Sequence, residues 1–441
     1  MAGPDSSEQM KTIRDAVHGD IDFTDDELRV IDTPEFQRLR QIKQLGAAHL
    51  VYPSAVHTRF EHSLGTCGVA KRIIDQVRRN CGGGAVSRED ERVIGIYALL
   101  HDITHIPFGH TLEDERRVFP RHDNNPERID HFLRRTELGR VLERLGARRA
   151  VRRLMLDHRL EPGGPTFHYD IVAGTICADL LDYLERDSYF TGLSQRYDER
   201  VFKYLVVAGG SLAVNLIRRG LFRMDGLSET VNLLRMRYVL SERVYYHPAK
   251  NAASAMISKA LEFCLAAKRR RVAERALYEL GDEGFLRLLE SGPETARYLA
   301  ACFLSRRLYK KAYMVSRRSI PTAERFVPYH LDPGKRAAAE RLLARRLRVP
   351  FRSVIVYCPS AGMQLREANA LFRLEPGARP RRLENNAEIE DLKRRQERLW
   401  KFFVFLDPAC GDRLPDAGRL CEEHFGQRNE ILGADRSPGT C

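Results

Sequence analysis

Residues 89–110 read EDERVIGIYALLHDITHIPFGH, and their pattern decides what kind of chain this is. Val93, Tyr97 and Leu100 recur at spacings of four and three, which places them on one face of an amphipathic helix. The apolar run Ala98-Leu-Leu100 leads straight into His101-Asp102, where burying a charge without a partner would be costly. Pro107 and Gly109 then bend the chain, so that His105 and His110 can turn back toward the same space. Imidazole and carboxylate together suit a divalent cation such as Fe, Zn, Mn or Mg.

Outward from this stretch the helical patterning continues. Residues 127–160 read as one or two helices, Glu161–Pro165 as a breaker, and 170–187 as another helix. Segments 227–247, 250–274 and 294–314 continue in the same style. After about residue 320 the character changes. Residues 352–358 and 399–406 are β-branched and aromatic runs that predict strands. The expected fold is therefore mainly α, with a helical body over 11–320 and a smaller α+β C-terminal region over 321–427. Residues 1–10 are expected to be disordered and 428–441 to form a tail.

Composition bounds the function. The 441 residues carry 73 basic and 60 acidic side chains, a net charge of +13. That excess suits an anionic partner, such as a nucleotide or weakly held single-stranded nucleic acid, but solvated arginine-rich faces such as Arg269–Arg271 explain it equally well. Nine cysteines without a C-x-x-C pair argue against a disulfide framework and a structural zinc site. No apolar run is long enough to span a membrane, and no apolar leader precedes Lys11, so a cytoplasmic protein is expected.

Three further pieces complete the candidate site. Arg59-Phe-Glu-His62-Ser-Leu-Gly65 offers an imidazole and, one helical turn away, a guanidinium suited to phosphate. Glu113 and His122 offer a carboxylate and an imidazole for proton transfer. Asp179, Tyr183 and Asp187, spaced four apart, form one helical stripe beside the apolar arc of Ala173, Cys177, Leu180, Leu181 and Leu184. Asp182, Glu185 and Arg186 fall opposite that arc and read as a solvated face. A carboxylate at Asp179, beside the core, calls for a cation. Together these are the parts of metal-assisted phosphate hydrolysis.

The pattern H…HD…D resembles the metal signature of the HD superfamily. The segments RDAVHGDIDF, IDTPEFQRLRQIKQLG, RFEHSLG, HDITHIPFGH and ADLLDYLERD resemble more closely its deoxynucleoside triphosphate triphosphohydrolases, over about residues 11–190 and more weakly to about 375. The resemblance implies an HD-type helical catalytic body and attack of water on the α-phosphorus of a dNTP, releasing deoxynucleoside and triphosphate. It implies His62, His101, Asp102 and Asp179 as metal ligands, with additional Mg on the substrate phosphates. It implies His105, His110, Glu113 and His122 as the catalytic set, His110 protonating the departing 5′-oxygen. It implies substrate contacts from Arg59 to the α-phosphate, from Gln44, Tyr183 and Asp187 to the sugar, and from Arg237 to an outer phosphate. Leu45 and Tyr245 match residues packed where a 2′-hydroxyl would sit.

An activating GTP or dNTP between subunits of a homotetramer is implied by Lys11, Asp32, Gln37, Arg40, Arg306 and Lys310. Read without the resemblance, Asp32-Thr-Pro is a helix N-cap, and Arg306 and Lys310 lie on a solvated helical face. Two positions depart from the family. Leu180 stands where the mammalian enzyme has a phosphate-binding lysine, and Tyr246 where it has a glutamine near the base. Another nucleotide substrate, or nucleic-acid binding with secondary catalysis, is the alternative reading.

Overall fold

Thr58 and Glu61 start the helix on which the site is built. The Glu61 carboxylate accepts from the Thr58 backbone N–H and hydroxyl, closing the first turn of α1 (Arg59–Cys81). Ser87 and Asp90 cap α2 (Arg88–Leu100) in the same reciprocal way, with bonds of 3.0 and 2.9 Å. α3 (Ala178–Thr191) packs on α1 and ends at Gly192, whose φ of 72° lies in the left-handed region that favours glycine. The computed structural model describes residues 10–267, 273–320, 322–360 and 362–431. Arg269–Arg271 and most of the expected disordered N-terminus and tail lie outside the described residues.

The fold is mainly α, as expected. Two long helices, α4 (Met224–Leu240) and α5 (Pro248–Ala266), complete the body, and α6 (Pro333–Leu347) follows in the C-terminal region. The strands are short. β1 (Lys11–Asp15) and β2 (Gly19–Phe23) form an antiparallel hairpin. β3 (Leu205–Ala208) and β4 (Ser211–Asn215) pair antiparallel. β5 (Lys310–Ser316), β6 (Val354–Tyr357), β7 (Leu371–Arg373), β8 (Arg381–Arg382) and β9 (Lys401–Leu406) follow. β7 joins β4 in parallel, and β9 lies between β5 and β6.

β9 divides two cores. Phe403 and Phe405 face the main core, whereas Phe402, Val404 and Leu406 face a smaller one with Trp400 and Phe425. That alternation is the period of a strand, and burial on both faces explains the uninterrupted apolar run. A buried ion network also ties the body to α6. Arg116 pairs with Glu340 at 2.8 Å and with Glu262 at 2.6 Å, and Lys259 reaches Glu340 at 2.9 Å.

The two expected strands form where they were read, but several boundaries differ. Residues 127–160 make three helices, Pro126–Arg134, Glu137–Arg144 and Arg148–Asp157. The pattern over 170–187 is split at Gly174 into Phe167–Ala173 and α3. The helix over 294–314 stops at Leu304. Arg306 turns left-handed at φ 55°, and Lys310 opens β5, so neither lies on a helical face. Thr33, not Asp32, is the N-cap before Pro34; Asp32 ends the preceding helix, Asp25–Ile31. The first tail residues are pinned rather than loose. Asn429 exchanges hydrogen bonds with Ala312 and Met314, and Glu430 accepts from Ser316 at 2.7 Å.

Candidate metal and phosphate site

α1, the end of α2 and the start of α3 bring His62, His101, Asp102 and Asp179 together. The Nε2 atoms of His62 and His101 face each other 3.2 Å apart. Each ring has committed its other nitrogen. His62 Nδ1 donates to Asp182 Oδ2 and His101 Nδ1 to the Ala98 carbonyl, both at 2.7 Å. Donation there leaves a lone pair on each Nε2, and two facing lone pairs require a positive charge between them. Asp179 Oδ1 lies 3.1 Å from His62 Nε2 and 3.8 Å from His101 Nε2. The Asp102 oxygens lie 3.7 Å from the same two nitrogens.

Electrostatics point the same way. Burial opposes protonation of His62, but Asp179 and Asp182 outweigh it and raise its pKa to about 10. The protein has built a place for positive charge and filled its rim with carboxylates. His62, His101 and Asp179 satisfy the geometry of a shared ion, as does the adjoining group His105, His110, Glu113 and His122, and the imidazole–carboxylate donor set fits a divalent metal.

Arg59 sits beside this group. Its guanidinium pairs with Asp102 and lies against Gly109, where a Cβ would come within 2.7 Å of Arg59 Nη2. The φ of 57° at Gly109 and this close approach both call for glycine. Arg59 Nε is buried and has no hydrogen-bond partner among the described residues.

The second histidine cluster adjoins the first through Asp102, which takes His105 Nε2 at 3.1 Å. The His105 and His122 ring centroids lie 3.6 Å apart with the rings tilted by 34°, and His110 packs edge-on against both. His122 Nδ1 is 2.9 Å from Glu113 Oε2, and Arg128 holds the other oxygen of Glu113 at 2.5 Å. Burial, then the positive charges of Arg59 and His122, hold the His105 pKa well below the ordinary range. Burial works against ionising Glu113, but the nearby His110 and the hydrogen-bonded His122 lower its pKa decisively. His110 is the most open of the set, its side chain 43% exposed.

The residues expected at the sugar also converge. Tyr245 donates to Asp187 Oδ2 at 2.6 Å, and His57 Nε2 lies 2.9 Å from Asp187 Oδ1. Arg237 lies over the rings of Tyr245 and Tyr183 at 4.7 and 5.6 Å. Gln44 bonds the His57 carbonyl through its backbone and leaves its side-chain oxygen buried without a partner among the described residues. Leu45 follows it, packed on the main core. Tyr246 packs on the smaller core instead.

The residues read as a nucleotide site between subunits are not joined within one chain. Arg40 donates to Gln37 at 2.8 Å and lies over Phe60. Arg306 donates to the Leu50 carbonyl at 2.8 Å. Among the described residues no hydrogen bond or ion pair links Lys11, Asp32, Gln37 or Arg40 to Arg306 or Lys310.

Asp182, Glu185 and Arg186, read as a solvated face, are buried. Arg186 grips both oxygens of Asp182 at 2.9 and 2.8 Å and reaches Asp15 at 3.0 Å, while His18 Nε2 lies 2.7 Å from Asp182 Oδ1. The i,i+4 Asp-Arg spacing is the same for a surface pair and a buried one. What buries this pair is Gly65 on α1, where any Cβ would overlap Asp182 Oδ1 and Arg186 Nη2. His18, His57 and Glu367 were not singled out in the sequence. Each acts through a partner more than 100 residues away, a distance no local pattern reports.

The HD-domain family model matches residues 59–187, which hold the whole candidate metal cluster, and a model of the HD-associated region matches 219–423. The chain is an HD-domain protein. This HD-domain chain is 32% identical to the uncharacterised protein MJ1154 of Methanocaldococcus jannaschii, over 73% of its length and 64% of that protein. It is 28% identical to the deoxynucleoside triphosphate triphosphohydrolase SAMHD1 of Gallus gallus, over 57% of its length and 45% of that enzyme. The chain thus spans less than two thirds of either relative. A solved phosphohydrolase from Bacteroides thetaiotaomicron shares the fold, with a TM-score of 0.68 at 21% identity, over 90% of this chain and 99% of that one. No described helix is long and apolar enough to cross a membrane.

Proposed function

We propose that this HD-domain chain is a divalent-metal-dependent dNTP triphosphohydrolase that converts dNTP and water to deoxynucleoside and triphosphate. The observation that carries the reading is the 3.2 Å approach of the His62 and His101 Nε2 atoms, ringed by Asp102 and Asp179 with the Arg59 guanidinium alongside. A divalent ion held by these four residues supplies positive charge to the α-phosphate. Arg59 adds a second positive charge to that phosphate. His122, fixed by Glu113, accepts the proton of the attacking water, and half-open His110 protonates the departing 5′-oxygen. His105, held neutral by its surroundings, packs against both.

On the sugar side, Asp187, Tyr183 and Gln44 take the 3′-hydroxyl and ring, while Tyr245 and Leu45 crowd the place of a 2′-hydroxyl. The Tyr245–Asp187 bond of 2.6 Å supports this, because it fixes the tyrosine against the sugar-binding carboxylate. Arg237 takes an outer phosphate, helped by additional Mg. Assembly to a tetramer would bring Lys11, Asp32, Gln37 and Arg40 of one copy toward Arg306 and Lys310 of another, where GTP or a dNTP would activate. Two observations favour a second reading, a nucleotide with fewer phosphates: Leu180 is buried and apolar, and Arg237 already has a carboxylate partner in Glu367.

The test is incubation of the metal-loaded chain with each dNTP, with and without GTP, and separation of the products by ion chromatography. Triphosphate in equal amount to deoxynucleoside is expected. Orthophosphate or pyrophosphate as the product, or turnover of monophosphates alone, would refute the assignment.

A further inference from the structure

Glu367 is a carboxylate beside Arg237, the guanidinium proposed to take an outer phosphate. It comes from the HD-associated region, on a short 3-10 turn, Arg366–Asn369. One oxygen, Oε1, takes both the Tyr183 hydroxyl and Arg237 Nε, each at 3.2 Å. The pair is largely withdrawn from water, with Glu367 15% and Arg237 23% exposed at the side chain. Leu365, Ala368 and Ala370 flank Glu367 and are buried in the main core, so packing holds the turn in place. Arg237 is separately anchored, its Nη1 donating to Ser241 Oγ at 2.7 Å.

A phosphate arriving at Arg237 would meet this carboxylate. Two anions cannot share one guanidinium edge in a partly desolvated site without repulsion. We infer that Glu367 is a specificity-determining residue, which competes with the outer phosphates of the substrate for Arg237 and so weakens the hold on triphosphate. The inference rests on the proposed dNTP reading for its biological meaning, but the competition itself is a property of the Glu367–Arg237 pair. Weak retention of triphosphate has a use in that reaction, because triphosphate is the product that must leave. Burial works against the charge on Arg237, but Tyr183, Glu367 and Tyr245 around it outweigh burial and keep it charged, so the contest concerns which anion it holds.

The experiment uses the full chain loaded with Mn and four variants: E367Q, E367A, R237Q and the double variant R237Q/E367Q. Inorganic triphosphate is the probe, titrated calorimetrically, and KM and kcat are measured in parallel on each dNTP. E367Q removes the charge and keeps the shape, and E367A checks that the new amide is not itself the cause. Triphosphate should bind about tenfold tighter to both single Glu367 variants, the scale of one charge-assisted hydrogen bond released from competition. KM should fall with it, while kcat falls if product release becomes limiting. In the R237Q background the substitution should bring no gain.

Unchanged or weaker triphosphate binding in E367Q would overturn the inference, and would make Glu367 a residue that merely orients Arg237. An equal gain in the R237Q background would also overturn it. Tighter binding of triphosphate without triphosphate release from any dNTP would keep the competition and remove the proposed function. Triphosphate release without tighter binding would do the reverse.

Discussion

Asp182→Asn is the most informative single change, because Asp182 touches no candidate substrate yet determines which nitrogen of His62 is free. The carboxylate accepts from His62 Nδ1, His18 and both arms of Arg186, at 2.7 to 2.9 Å. Burial alone would raise its pKa, but Arg186, His18 and His62 hold it well below the usual range. An amide has one accepting oxygen where the carboxylate has two. In the variant, either His62 or the Arg186–His18 side must face an N–H. If His62 does, its proton moves to Nε2 and blocks the metal lone pair. Loss of such an outer partner costs about 10- to 100-fold in metal affinity, about 1.4 to 2.8 kcal/mol. Breaking the buried pair costs stability as well, about 3 kcal/mol, at the low end because Arg186 keeps Asp15 at 3.0 Å. The assay is a competition titration of zinc or manganese against a coloured chelator, with thermal melts of the chelated proteins beside it. A folded Asp182→Asn protein that binds metal within twofold of the parent would refute the reasoning about His62.

Three other outcomes follow from the same geometry. Gly65→Ala should reproduce the Asp182→Asn phenotype from a different helix, since its methyl would displace Asp182 and Arg186; near-parental melting and metal content would contradict the packing described. Asp179→Asn should lose metal at little cost in stability, because that side chain is 32% exposed in the first turn of α3, whereas Asp102→Ala should lose metal and also destabilise by leaving Arg59 buried and unpaired. The melting temperatures of the two variants decide this. Glu340 gives a pH dependence: burial would raise its pKa, but Arg116 and Lys259 bring it to about 2 from the ordinary 4.5. Its folded pKa is below its unfolded one, so its stabilisation is complete above about pH 4.5 and lost as pH falls toward 2, and Glu340→Gln should flatten that acid limb of a stability-versus-pH curve.

Much of the site was legible because its ligands sit on short, regular stretches. The switch from the apolar face of α2 to His101-Asp102, and the stripe Asp179-Tyr183-Asp187, are visible as period and spacing. The two C-terminal strands were legible because both faces of β6 and β9 are buried, which leaves an apolar run too short for a helix. The small strands β1 to β4 were not, since their pairing comes from tertiary placement more than from composition. Asp182 and Arg186 were misread because helical periodicity assigns one buried face, while α3 is enclosed on more than one side: α1 covers the Asp182–Arg186 edge through Gly65. Glu367 lay beyond reach for another reason. Its meaning depends on Arg237 and Tyr183, 130 and 184 residues earlier in the chain.

The central claim is that His62, His101, Asp102 and Asp179 hold a divalent ion that directs water to the α-phosphorus of a deoxynucleotide. Hydrolysis of a dNTP by the metal-loaded chain in 18O-labelled water tests it directly, with mass spectrometry of both products. The account predicts one 18O atom in the triphosphate, none in the deoxynucleoside, and no reaction in the Asp179→Asn protein. Label in the deoxynucleoside, label in released orthophosphate or pyrophosphate, or undiminished turnover without Asp179 would contradict it.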